Sequence, residues 1–171
     1  MLTLIYSAKQ KILIENLIFF VVTTTFLVIV GFAWRHLKPF DLVLPLPTWF
    51  KTWFMTVQVV GGLLPLIVMV LWGLLWRHSI VLVVFISYFF MIILQGLCEI
   101  AILRWFHSIT WIMIPYLYLP YRIWQLYEGL TLLNLDRGLI GVRNVLVIEI
   151  VLWVLNYAVN LSQLPRLFRW E

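Results

Sequence analysis

Charge is what this chain has least of. Only 11% of its 171 residues are charged, against about 25% in a globular domain, and that scarcity excludes a water-soluble fold of this size. The single cysteine, Cys98, excludes an internal disulfide and any cysteine-rich metal site, and it leaves the redox compartment unread. No glycine-rich phosphate loop, nucleophile elbow or His-Glu-x-x-His pattern occurs. The 3 histidines do not converge either. His36 and His78 bracket one apolar run and His78 and His107 the next, so across a core of about 30 Å only His36 and His107 can share a side. No polar stretch is long enough to hold a nucleotide.

What remains is hydrophobic. Some 64% of the residues are apolar and 17% aromatic, gathered in long runs. The chain reads as an all-α integral membrane protein in one domain, a bundle of about five transmembrane helices at roughly 20 residues each. Four runs are clear: 12–34, 54–76, 79–103 and 144–164, the last closed by Pro165. The first exceeds the apolar core of a secretory signal, about 7–15 residues, and is read as a retained span. Between the first two runs, 35–53 is a loop carrying Pro39, Pro45 and Pro47, where proline disfavours helix. Trp49, Phe50, Trp53 and Phe54 around Lys51 suit a short segment lying in the headgroup layer. Arg77-His78 alone joins two runs into a tight antiparallel hairpin.

Segment 107–133 has two readings. It is long enough to cross as a kinked span. Alternatively 109–121 dips in and returns, and 122–135 lies along the surface, because Pro115, Pro120, Arg122, Gln125 and Glu128 interrupt it.

The net charge of +5 does not point to nucleic acid. The basic residues sit singly at the ends of apolar runs, where Lys and Arg anchor helices at the interface. Gly31-Phe32-Ala33-Trp34-Arg35-His36 and Gly73-Leu74-Leu75-Trp76-Arg77-His78 are alike for that reason. In a five-span chain Lys9, Lys11, Arg77, Arg137 and Arg143 fall on one side. Arg35, Lys38, Lys51, Arg104, Arg166 and Arg169 fall on the other. The two sets balance, so orientation and the membrane of residence stay open.

The polar residues inside the runs carry the functional signal. Glu149, Trp153, Asn156, Asn160 and Gln163 fall within about 80° of arc at 100° per residue. Such an edge must face protein or water rather than lipid. Tyr88, Gln95 and Glu99 make a second edge, and Tyr118, Arg122 and Gln125 a third. The three edges are expected to meet in a polar cluster between helices 3, 4 and 5. At 1.5 Å per residue, Glu149 and Arg122 both lie about 8 Å from the same face, which predicts an ion pair. Glu99, Asn160 and His107 form a candidate second cluster near the opposite face.

These edges serve either as interhelical hydrogen-bond glue or as a ligand-binding or catalytic cavity. Small size and the lack of catalytic motifs favour a non-enzymatic subunit or assembly factor bound to other membrane subunits. The alternatives are an intramembrane enzyme or a carrier. In the first, Glu99, Glu128 or Glu149 acts as general acid or base and Arg122 steadies negative charge on a lipid or isoprenoid. In the second, charged residues sit midway along discontinuous helices. No metal or cofactor is expected; the aromatic content suits a bound lipid or isoprenoid, and equally an interface belt.

Overall fold

The structure is a computed structural model that describes residues 2–36, 48–106, 110–133 and 137–167. Among the described residues there is no strand. Five helical rods follow one another: α1 (Leu2–Ala33), α2 (Thr48–Leu75), α3 (Ser79–Phe106), α4 (Thr110–Leu133) and α5 (Ile140–Leu167). Four stretches, Gln10–Ala33, Thr48–Leu75, Ser79–Trp105 and Ile140–Ser162, are long and apolar enough to cross a membrane.

The rods differ from the sequence reading at their ends. α2 begins at Thr48, so residues 48–53 are the first turns of the rod rather than loop. The hydroxyls of Thr52 and Thr56 donate to the carbonyls of Thr48 and Thr52 at 3.2 and 3.0 Å. They are therefore satisfied inside the helix and do not break it. α5 runs through Pro165 to Leu167. α4 is one helix through Pro115 and Pro120, so the chain does not dip and return before Arg122. His107 and residues 37–47 lie outside the described residues, as do the side chains of Gln163 and Arg137.

α2 is the irregular rod. Wider π turns at Val59–Leu63 and Met69–Leu75 flank a short α-helical stretch, Leu64–Val68. Pro65 has no N–H for the carbonyl one turn back, and the Gly61 carbonyl accepts instead from the Tyr88 hydroxyl of α3, at 2.5 Å. The hairpin to α3 turns on Arg77, whose φ of 56° lies in the left-handed region. The His78 N–H then closes on the Trp72 carbonyl at 3.0 Å.

α3 sits at the centre. Val81, Val84, Phe85 and Tyr88, spaced i, i+3, i+4, i+7, pack with Val57 and Val68 of α2, Leu126 of α4 and Leu146 of α5. Another face of α3, with Met91, Cys98 and Ile102, packs on Leu27 of α1 and on Ile114 and Tyr118 of α4. α1 buries a narrow stripe, Asn16, Thr23, Leu27 and Gly31, within about 80° of arc. Its outward residues, such as Leu13, Ile29 and Phe32, are apolar and exposed. An apolar exterior around buried polar groups is the pattern lipid selects and water does not.

Candidate functional site

Tyr88, Gln95 and Glu99 follow one line of α3, since spacings of 7 and 11 residues return to the same side within about 20°. α4 lays Arg122 against that line and α5 brings Glu149 and Trp153. Arg122 is 3% exposed and Glu149 0%. The Arg122 Nη2 donates to Gln95 Oε1 at 2.6 Å, and Gln95 Nε2 donates to Glu99 Oε1 at 2.8 Å. The amide is held in one orientation, because a guanidinium only donates and a carboxylate only accepts. A cation on α4 is thus joined to a carboxylate on α3 through one glutamine.

The expected ion pair between Arg122 and Glu149 does not form. Among the described residues the ion pairs found are those of Lys11 with Glu15 (3.7 Å) and Glu128 (3.3 Å). The depth match itself brings both residues to the same two aromatics. The Arg122 guanidinium carbon lies 4.2 Å from the centre of the Trp153 ring and 5.9 Å from that of Tyr88. Trp153 Nε1 donates to the Tyr88 hydroxyl at 3.0 Å, and that hydroxyl lies 3.5 Å from Glu149 Oε2. The indole face takes the place of a carboxylate, an attraction worth about 2 kcal/mol when desolvated. Arg122 Nε and Glu149 Oε1 have no hydrogen-bond partner.

The other candidates lie elsewhere. Glu128 is on the flank of α4, bound to Lys11 of α1. Gln125 faces α1 and α3: its Nε2 donates to Asn16 Oδ1 at 3.1 Å and to Ser87 Oγ at 3.0 Å. Tyr118 contacts Cys98 Sγ at 3.3 Å, and Thr24 of α1 contacts the same thiol at 3.8 Å. Asn156 Oδ1 accepts from Trp53 Nε1 of α2 at 3.0 Å. Asn160 Nδ2 turns back to the Asn156 carbonyl at 2.8 Å, and the Asn160 carbonyl accepts from the Tyr116 hydroxyl at 2.7 Å. Asn160 therefore does not join Glu99: its amide is held by its own helix. Of the three candidate carboxylates, Glu99 and Glu149 both neighbour Arg122 without bonding it, and Glu128 lies apart on Lys11.

Sequence reasoning overlooked Asn16. Its Oδ1 accepts from Tyr121 and Gln125, and its Nδ2 donates to Ser87, so a second polar knot binds α1, α3 and α4. The signal was available, since Asn16, Thr23 and Leu27 share one helix face. Trp53, expected at the headgroup layer, is instead a partner of Asn156 within the first turns of α2.

No known family model, curated protein or solved structure matches the chain.

Proposed function

We propose that this chain is a five-span membrane protein without catalytic activity of its own, a subunit or assembly factor that binds other membrane proteins through its apolar exterior. The observation that carries the reading is the separation of Glu99, Glu128 and Glu149, each held by a different neighbour. Acid–base chemistry on a lipid needs a carboxyl group within hydrogen-bond reach of the reacting atom, whereas Glu99 and Glu128 are bonded to protein partners and Glu149 is wholly buried. The polar side chains instead join helix to helix across α1/α3/α4, α3/α4 and α2/α5, which is the use of intramembrane hydrogen bonds as glue.

That α4 crosses with its neighbours is supported by its length, 24 residues or about 36 Å, and by ten buried residues along it. The Lys11–Glu128 contact sets the start of α1 beside the end of α4, as an antiparallel span requires.

A second reading, a carrier of a lipid or isoprenoid chain, is favoured by one feature. An open groove of about 390 Å³ runs between α1 and α4, lined by Phe19, Val22, Tyr121 and Trp124, with Glu15 and Thr23 also in its wall. Purification in native lipid discs separates the readings. A membrane-protein partner in fixed stoichiometry, with Glu99→Gln and Glu149→Gln leaving both the complex and the lipid composition unchanged, supports the subunit. A chain that purifies alone with one enriched lipid or isoprenoid, lost on Tyr121→Ala, refutes it.

A further inference from the structure

We propose that Glu149 is a proton-binding site, a neutral carboxylic acid held among α2, α3, α4 and α5. It follows from two independent counts and goes beyond the subunit reading.

The first count is of hydrogens at Tyr88. A phenol has one proton to give and two lone pairs. One lone pair accepts the Trp153 N–H at 3.0 Å. Two oxygens compete for the proton, the Gly61 carbonyl at 2.5 Å and Glu149 Oε2 at 3.5 Å. The carbonyl can only accept, and Pro65 gives it nothing, so the Tyr88 proton goes to Gly61. An ionised Glu149 would then meet a lone pair at Oε2 and nothing at Oε1, which has no partner. A protonated Glu149 supplies the missing hydrogen, its O–H directed at the second lone pair of Tyr88.

The second count is of charges. The groups that face Glu149 are Arg122 from α4, Tyr88 from α3 and, one turn along α5, the uncharged Trp153, whose N–H is directed at Tyr88, while α2 offers the uncharged Gly61. Arg122 Nη2 is committed to Gln95 and through it to Glu99, its Nε has no partner, and its guanidinium carbon lies over the Trp153 ring. One cation balances one carboxylate, and Glu99 is the one it is wired to. A second buried carboxylate, whose donor neighbours direct their protons to Gly61 and Tyr88 over shorter distances, takes up a proton rather than remain charged.

The proton comes from water and returns to it. When it leaves, a bare carboxylate faces Arg122 and draws the guanidinium off Gln95. Protonation of Glu149 is thereby coupled to the contact between α4 and α3.

Infrared spectroscopy in an ester-free detergent reads the site, because a protonated carboxyl group absorbs apart from carboxylates and amides. The expected result is an acid C=O band at neutral pH that disappears in Glu149→Gln and shifts in Tyr88→Phe. Should Glu149→Gln fail to fold, Tyr88→Phe decides. Absence of the band from the unmodified protein, its survival in Glu149→Gln, or its indifference to Tyr88→Phe overturns the proposal.

Discussion

The Arg122 guanidinium carbon of α4 lies over the Trp153 ring of α5, 4.2 Å from its centre. The same indole donates to Tyr88 of α3, so one ring ties three helices. Replacing it removes a desolvated cation–π contact of about 2 kcal/mol and an interhelical hydrogen bond of about 0.6 kcal/mol. Trp153→Leu is expected to lower stability by about 3 kcal/mol, and Trp153→Phe, which keeps a weaker π face, by about 1 kcal/mol. Unfolding with SDS in mixed micelles measures both.

The bond from Arg122 to Gln95 is testable as a coupling. A double-mutant cycle with Arg122→Ala and Gln95→Ala is expected to give an interaction of about 1 kcal/mol, within the range of buried bonds between membrane helices. Exchange of charge partners gives the contrasting result. Because Arg122 is not paired with Glu149, the double variant Arg122→Glu/Glu149→Arg is expected to be no more stable than Arg122→Glu alone. A rescued double variant would show that the two side chains do pair.

Gly129 sets how closely α4 approaches α3. A Cβ added there would stand 2.7 Å from Cγ1 of Val84, a stiff β-branched side chain that cannot swing aside. Gly129→Ala is expected to cost about 1–3 kcal/mol by overpacking. Adding Val84→Ala should return much of that. Gly96→Ala, which meets nothing within 4 Å, is the control and should not lower the unfolding midpoint, because alanine favours helix over glycine.

Depth along the helices was legible in the sequence, and rotation about them was only partly so. The rise per residue is fixed, so counting from the ends of the apolar runs placed Arg122 and Glu149 level with each other. Their common contacts with Tyr88 and Trp153 reflect that. The azimuth of α4 depends on which small residue meets which neighbour, as Gly129 meets Val84, and no periodicity encodes it. Arg122 therefore reaches Gln95 and rests on an aromatic face rather than on a carboxylate. Gln125 was grouped with Arg122 by spacing, yet the same rotation turns it toward Asn16 and Ser87. The Tyr88–Gly61 bond was hidden for another reason: it arises from a carbonyl that Pro65 cannot serve, which becomes visible only when α3 is laid beside it.

The position of α1 has a consequence for biosynthesis. Asn16 is the polar centre of that helix, and Ser87, Tyr121 and Gln125, which satisfy it, are separated from it by 71, 105 and 109 residues. While the ribosome is still making α2, the first helix has an amide in the hydrocarbon and no fold to receive it. Its partners are complete only when α3 and α4 have both emerged, and a chain truncated before α3 would leave an otherwise apolar helix with an unsatisfied amide in the bilayer.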